Sequence, residues 1–250
     1  MSGFFRGARA AFVFLTRVPV GGFPYSPEEW KWSSGWFPAV GFVVGTVSAV
    51  AWLALASAGP WVAGMAALVV SMMLTGGFHE DGLSDTADAL GGAYDPETVL
   101  VILKDSRIGV FGGLALIVSV VFRLTLLVAL GWLAPVGLVL SHTLARVGPI
   151  WLMVALPYVT DAAAKSRLVT RATAAQGGLA TLIGLAGLTG IIGLGFAPPR
   201  SALPVLLAAV GVTVVCGWRF HARTGGVTGD FLGAAEQVGE VAILLALVLA

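Results

Sequence analysis

The sequence predicts an all-α integral membrane protein: a polytopic helical bundle of about six or seven transmembrane helices, with an additional interfacial helix at the N-terminus. Of its 250 residues, 58% are hydrophobic and only 11% are charged, and the mean hydropathy is +0.95. The 34 glycines fit this class, because small residues let transmembrane helices pack closely. Apolar stretches of about 20 residues, the length that crosses a bilayer, recur along the chain. We therefore expect a single membrane-embedded domain over residues 1–250.

Charge and cysteine content narrow the functional classes. The net charge of +1, with no dense basic patch, predicts no nucleic-acid partner. The single cysteine, Cys216, lies in an apolar run and excludes a disulfide within the chain. The lipid bilayer is the expected partner, and the sequence leaves open whether the chain forms a homo-oligomer.

The first predicted element is the interfacial helix, over residues 3–16. Its apolar side chains fall on one helical stripe, whereas Arg6 and Arg9 lie off it. The run is too short and too charged to span, so we expect it to lie on the membrane surface. Residues 17–36 contain three prolines and are predicted to form an irregular connection or a partly buried loop.

Six stretches have the length and hydrophobicity of membrane spans. The apolar tail 238–250 is shorter, and it is either the end of a helix that begins near Gly233 or a helix that does not cross. The six predicted spans are residues 37–58, 60–78, 109–132, 134–156, 178–197 and 202–218.

The basic residues predict the orientation of the bundle. With these spans, 11 of the 14 Lys and Arg residues lie on the same side as the N-terminus, and only Arg200 lies on the opposite side. The positive-inside rule then places the N-terminus in the cytoplasm, in a cell (inner) membrane. The polar segments 76–113 and 219–240 would share this cytoplasmic face, where we expect the active site.

The stretch GGFHEDGLSDTADALGG, residues 76–92, is the main candidate site. It carries Glu80, Asp81, Asp85 and Asp88 in nine positions of a chain that otherwise has few acids. The three aspartates stand at i, i+4 and i+7, which puts them within about 60° of one another on a helix. Such an all-oxygen stripe suits magnesium or manganese. The alternative is a solvated loop whose acids favour a helix N-terminus.

Two further segments carry groups that suit phosphate chemistry. In KDSRIGVFGG, residues 104–113, Lys104 and Arg107 flank Ser106 and would either clamp phosphate oxygens or anchor a helix end at the membrane. In residues 219–240, glycines suit close approach to an anion, and acids follow them. The residues of interest in this last segment are Gly225, Gly226, Thr228, Asp230, Glu236 and Glu240.

Ionisable residues also occur inside the predicted spans. Arg123 lies in the third, and His142 and Arg146 stand at i, i+4 in the fourth. We expect them to face the bundle interior, paired with acids, where they would either hold helices together or contact substrate. His79 would be a metal ligand, a proton carrier or a hydrogen-bonded core imidazole. The last two are favoured, because on a regular helix His79 points away from Asp81.

These motifs resemble the cobalamin synthase family, also called adenosylcobinamide-GDP ribazoletransferase. The most specific matches are HEDGLSDTAD and KDSRIG, and the resemblance runs in order across nearly the whole chain, with a motif-poor region at 157–218. The supporting matches are LTRVPVGG at 15–22, WFPAVGFVVG at 36–45 and GGVTGDFLGAAEQ at 225–237.

The resemblance implies a magnesium-dependent membrane transferase that completes the nucleotide loop of coenzyme B12. α-Ribazole 5′-phosphate (or α-ribazole) would attack adenosylcobinamide-GDP, releasing GMP and forming adenosylcobalamin 5′-phosphate (or adenosylcobalamin). Manganese is the alternative metal.

Carried onto this sequence, the resemblance assigns roles to the residues above. Asp81, Asp85 and Asp88 would bind the metal, with Glu80 and Asp230 as further ligands, and Asp230 alternatively orienting the nucleophile. His79 would assist proton removal. The implied substrate contacts are Lys104, Ser106, Arg107, Arg146, Gly225, Gly226, Thr228 and Glu236.

Two other classes of membrane protein also use acidic residues. A phosphatidyltransferase of the CDP-alcohol type also uses aspartates on membrane helices, but here Asp88 is followed by Ala89 and no Ala-Arg pair comes next. A cation transporter would place its acids near the middle of spans, whereas these acids cluster in one stretch at the predicted cytoplasmic border. Both alternatives fit the sequence less well than the transferase.

Overall fold

The computed structural model describes residues 3–21, 25–159 and 171–250. Within these residues the chain is helical, and no β-strand occurs apart from an isolated bridge between Tyr158 and Val227. The α-helices are α1 (Gly3–Leu15), α2 (Pro27–Ser33), α3 (Phe37–Ala54), α4 (Pro60–Thr75), α5 (Phe78–Gly92), α6 (Pro96–Ile102), α7 (Val110–Leu130), α8 (Ala134–Leu144), α9 (Gly148–Ala155), α10 (Ala174–Gly193), α11 (Ala202–Thr224) and α12 (Gly229–Leu249).

The N-terminal helix forms where the sequence predicts it, but the region after it is more regular than expected. The prediction of a loop throughout residues 17–36 is wrong, because α2 occupies Pro27–Ser33. Ser26 and Glu29 form a reciprocal capping box at its start, and Pro27 stands at the first helical position. Arg6 of α1 pairs with Glu29 of α2, at 2.7 Å between Nε and Oε1.

The long apolar helices support the predicted membrane bundle. In the described part of the chain, five helical segments are each long and apolar enough to cross a membrane, and the bent pair α4–α5 would make a sixth. The longest segment, Val110–Ala155, is 46 residues long and comprises α7 to α9. Arg123 in α7 and Arg146 after α8 both contact Glu240, so this segment folds back on itself near Gly131.

The apolar tail is part of a full-length helix. It belongs to α12, which begins at Gly229 and has 21 residues, so the first of the two alternatives for residues 238–250 is correct. The predicted span 134–156 is less regular than expected, since it divides into α8 and α9 around Ala145–Val147.

Glycines allow the closest packing in the bundle. A Cβ at Gly41 of α3 would overlap the carbonyl group of His142, and a Cβ at Gly45 would lie only 2.6 Å from the Leu138 oxygen. Side chains larger than hydrogen would therefore push α3 away from α8. This contact fixes the position of His142 and the neighbouring Arg146.

The two ends of the bundle differ in chemistry. At one end of the bundle the acidic stretch on α5 contacts both other polar segments. Asp88 meets the start of α7 within residues 104–113, and Gly82 meets the start of α12 within residues 225–233. At the other end Arg200 donates a hydrogen bond to the carbonyl oxygen of Ala250. The predicted convergence of the three polar segments is therefore confirmed.

Candidate active site

The acidic stretch forms helix α5, as its aspartate spacing predicts. Gly76 and Gly77 precede it with φ values of 71° and 70°, in the left-handed region that glycine adopts without strain. This pair produces a bend of 90° between α4 and α5. The bend turns α5 into the bundle, so that the acids lie beside α7 and α12.

Helix α5 runs antiparallel to α7 rather than lying across its end. Near the start of α5, Glu80 Oε1 is 3.2 Å from Arg123 Nη2, in the middle of α7. Near the end of α5, Asp88 contacts the first turn of α7. The eight residues between these two acids cover about 12 Å of helix axis. The row of Asp81, Asp85 and Asp88 on α5, here called the aspartate stripe, therefore extends from the end of the bundle towards its interior.

Asp88 links α5 by hydrogen bonds to the segment that follows Lys104 and Arg107. Its Oδ2 accepts a hydrogen bond from the Gly109 backbone N–H (2.7 Å), and its Oδ1 accepts one from Gly112 (2.8 Å). Both glycines are sterically required, because a Cβ at either position would overlap the Asp88 carboxylate. Asp88 thereby occupies the N-terminal end of α7, where free N–H groups favour a carboxylate.

The remaining aspartates lie between α5 and α12. Gly82 packs against the first turn of α12, where a Cβ would lie 2.8 Å from the Asp230 carbonyl oxygen. The negative charges of Asp81, Asp230 and Asp88 all act on Asp85. Neither Asp81 nor Asp85 forms an ion pair or a side-chain hydrogen bond within the described residues. Among the described residues, this group of carboxylates therefore has no compensating cation.

The segment 104–109 presents its polar groups to solvent. Arg107 is held in a two-point contact, with its Nε 3.0 Å from Asp105 Oδ1 and its Nη2 2.6 Å from Oδ2. The hydrogen bonds from Arg107 lower the pKa of Asp105 to about 2. Lys104 and Ser106 are exposed in the same segment. The guanidinium group is thus pre-oriented next to the helix that carries the acids.

The contacts of the glycine-rich turn before α12 mainly shape the backbone between α11 and α12. Gly225 ends α11 with a φ of 77°, and its N–H donates to the His221 carbonyl oxygen. Gly226 packs against Pro157, where a Cβ would overlap the carbonyl group. Thr228 is fully buried and caps α12, since its hydroxyl accepts from the Phe231 N–H. The predicted substrate contacts of these three residues remain predictions.

Deeper in the bundle, the predicted pairing of in-span ions is confirmed. Glu240 lies between Arg123 (3.1 Å) and Arg146 (3.4 Å) and also contacts His142. Arg146 Nη1 lies 2.6 Å from Glu236 Oε1. His79 belongs to this buried ion network rather than to the aspartate stripe, with its Nδ1 3.9 Å from Glu236 Oε2. The network members are Glu80, Arg123, His142, Arg146, Glu236 and Glu240, with His79 at the edge.

Two groups of side chains have the chemistry of a metal site. Within the described residues, one triad has ligand atoms within 4.8 Å of one another, namely His142, Glu236 and Glu240. Because the buried arginines already neutralise these two glutamates, we assign no metal to the triad. The aspartate oxygens are farther apart, but no cation among residues 3–21, 25–159 and 171–250 pairs with them. This arrangement suits magnesium, which retains several waters and binds through a few carboxylates together with substrate phosphates.

Sequence reasoning missed Arg223, which anchors the end of α5. Its guanidinium group donates to the carbonyl oxygens of Leu90 and Ala93 and lies 4.7 Å from the centre of the Tyr94 ring. It is buried although it stands at the C-terminal end of the apolar helix α11, where a basic residue ordinarily indicates only orientation in the membrane. No spacing in the sequence indicates these partners.

The fold and the site define a polytopic helical membrane protein that carries a row of aspartates beside the exposed cations Lys104 and Arg107. Residues 7–248 match the family model described as Cobalamin-5-phosphate synthase, and the chain belongs to this family. It is similar to proteins named adenosylcobinamide-GDP ribazoletransferase from Leptothrix cholodnii (38% identity, covering 98% of this chain and 97% of the relative) and Shewanella piezotolerans (35%, 96% and 93%). No solved structure matches the chain.

Proposed function

We propose that this protein catalyses the last assembly step of the cobalamin nucleotide loop. In this reaction a free ribose hydroxyl of α-ribazole 5′-phosphate, whose 5′ oxygen already carries its own phosphate, or of α-ribazole, attacks the cobinamide-side phosphorus of adenosylcobinamide-GDP. A new phosphorus–oxygen bond forms, the diphosphate bond breaks, and GMP leaves with the electron pair. The products are adenosylcobalamin 5′-phosphate, or adenosylcobalamin, and one proton. Membership of the family supports this reaction.

The structural observation that carries the proposal is the Asp88 contact with Gly109 and Gly112. It joins the acid-bearing helix α5 to the segment containing Arg107. Transfer of a group from a diphosphate depends mainly on positioning and on stabilising the negative charge that spreads over the phosphate oxygens. Acids and cations held on adjoining segments meet that requirement.

Magnesium, or alternatively manganese, is the cofactor that we propose. Asp81, Asp85 and Asp230 would hold it, because they are carboxylates that repel one another and, in the described part of the chain, no cation acts on Asp85 or Asp230. A bound magnesium would neutralise diphosphate oxygens and favour departure of GMP. Asp88 and Glu80 were also predicted as ligands. Each already has donors from the protein, and their metal-binding roles remain predictions.

The cations and the histidine have distinct proposed roles. Lys104 and Arg107 would bind the diphosphate, Lys104 as a point charge and Arg107 through the fork that Asp105 orients. His79 would accept the proton of the acceptor hydroxyl; it sits on α5 two residues before Asp81 and is 4% exposed. We place this site on the cytoplasmic side of the inner membrane. Of the 14 Lys and Arg residues, 11 lie on the same side of the predicted spans as the site, and the positive-inside rule assigns that side to the cytoplasm.

The test is release of GMP by the purified protein in liposomes. The protein receives adenosylcobinamide-GDP with and without α-ribazole 5′-phosphate, and with and without magnesium. We expect GMP only when both substrates and the metal are present. Manganese in place of magnesium tests the alternative metal.

Two outcomes would contradict the proposal. GMP release without the ribazole compound would indicate a hydrolase that uses the same acids. No release with any divalent metal, from protein whose helical circular dichroism is intact, would leave the family relationship without this activity.

A further inference from the structure

A partly enclosed cavity lies beside the acidic face, between α1, α3, α5, α9 and α12. Three phenylalanine rings form one side of it: Phe14 and Phe37 are parallel, with an interplanar angle of 4°, and Phe78 meets Phe14 edge-to-face. Met153 and Leu232 extend this apolar surface. We call this space the phenylalanine cavity.

Polar groups line the inner side of the phenylalanine cavity. They are His79, Arg146 and Glu236, which are 4%, 2% and 1% exposed. Arg146 Nη1 is occupied by Glu236 and by the His142 carbonyl oxygen, but its Nε–H has no hydrogen-bond partner within the described residues. A buried N–H without an acceptor is costly. The cavity therefore offers a flat apolar space with an unused donor.

The phenylalanine cavity adjoins the acids that we assign to catalysis. Gly229 and Gly233 line it, and Asp230 stands between them in the first turn of α12. Gly233 also packs against α5 at Gly82, one residue after Asp81. A ligand that fills the cavity would thus lie beside the turn of α12 that carries Asp230.

The size of the phenylalanine cavity limits what it can hold. Its volume is ≈ 60 Å³, enough for about four waters. That admits the edge of a fused two-ring heterocycle and is far too small for a corrin ring. The cavity therefore suits one edge of the base of a nucleoside, with the rest of the base at its mouth.

We propose that the phenylalanine cavity binds the planar base of the ribazole acceptor and so directs a free ribose hydroxyl of the acceptor to the aspartates. This inference rests on the proposed function. A benzimidazole-type base is apolar apart from one free ring nitrogen, an acceptor that matches the single unused donor of Arg146. Guanine of the donor fits less well, because it carries several donors and acceptors, whereas the lining is apolar apart from His79, Arg146 and Glu236.

The experiment fills the cavity with a larger side chain and measures the KM for each of the two substrates separately. Met153→Trp adds bulk inside the phenylalanine cavity, and Met73→Trp makes the same change at a position that is 71% exposed. We expect Met153→Trp to raise the KM for α-ribazole at least tenfold and to leave the KM for adenosylcobinamide-GDP unchanged. Met73→Trp should change neither. Leu232→Phe is a smaller filling change for use if the tryptophan variant does not fold.

A second experiment uses an acceptor that has no base. With ribose 5-phosphate as acceptor, wild type and the cavity variant should react at equal rates, because this acceptor has nothing to place in the cavity. Equilibrium dialysis of α-ribazole should show at least tenfold weaker binding to the cavity variant. Dialysis needs no turnover, so it tests the cavity even if the proposed reaction fails.

Several results would overturn the inference. A raised KM for adenosylcobinamide-GDP alone would assign the phenylalanine cavity to the donor. Unchanged KM values and unchanged dialysis in both filling variants would mean that the cavity binds neither substrate. Absence of GMP release by the wild type, together with normal α-ribazole binding, would contradict the proposed function but not the binding site.

Discussion

The aspartate stripe and the buried ion network are two groups of carboxylates on neighbouring faces of the same helices, and they differ in what balances their charge. Glu240 lies between two arginines and a histidine and is 2% exposed. Asp81 is exposed and has no cation partner within the described residues. Burying an unpaired charge costs far more than leaving one near water. The difference indicates that the network maintains the bundle, whereas the stripe carries the negative charge that the magnesium ion we propose would neutralise.

Removing a charge from the buried ion network is expected to have the largest effect on stability. Glu240→Gln leaves Arg123 and Arg146 without their shared carboxylate, and breaking such a buried pair costs about 3–5 kcal/mol. Thermal unfolding in detergent would show a clearly lower midpoint for this variant. The matched control is Glu97→Gln, on exposed α6, which should unfold like the wild type. Equal midpoints for the two variants would show that the network does not stabilise the bundle.

Removing a charge from the aspartate stripe should give the opposite pattern. Asp81→Asn is expected to abolish GMP release, a loss of at least a hundredfold, while membrane insertion and the unfolding midpoint stay unchanged, because no internal ion pair is broken. Asp95→Asn is the matched control, since asparagine caps α6 as well as aspartate does. Full activity in Asp81→Asn would remove Asp81 from the site.

Gly112→Ala separates positioning from metal binding. The added Cβ would overlap the Asp88 carboxylate and Ser84, displacing the segment that carries Arg107. Crowding of this kind typically costs about 1–3 kcal/mol, and we expect roughly a tenfold lower kcat/KM at an unchanged magnesium requirement. Gly113→Ala is the matched control, because its Cβ would meet only Ile108 at 3.9 Å.

Asp88→Asn completes this comparison. If Asp88 acts through its two backbone hydrogen bonds, the variant should behave like Gly112→Ala when GMP release is titrated with magnesium. A higher magnesium requirement in Asp88→Asn alone would instead support the predicted role of Asp88 as a metal ligand.

Several parts of this arrangement are readable from the sequence. The i, i+4, i+7 aspartates predict one face of α5, and ionisable residues inside apolar spans predict internal pairing. Residues 26–29 contain the pattern of a capping box, so the helix missed at Pro27–Ser33 had a readable signal.

The remaining features depend on which helices are neighbours. Hydropathy does not specify that Arg123 meets Glu80, because any inward-facing acid would satisfy the pattern. The phenylalanine cavity likewise needs three rings from α1, α3 and α5 to meet, and their positions in the sequence share no spacing. Long-range contacts of this kind come from packing rather than from local preference.

The smallest expected effect concerns the exposed cation beside the stripe. Arg107→Lys keeps the charge but loses the fork that contacts Asp105 at two points. Because the pair is exposed, stability should be unchanged, whereas the KM for adenosylcobinamide-GDP should rise severalfold through weaker diphosphate binding. Arg219→Lys, exposed on α11, is the matched control. Unchanged kinetics in both variants would reassign Arg107 to membrane anchoring and confine the phosphate site to the aspartates and Lys104.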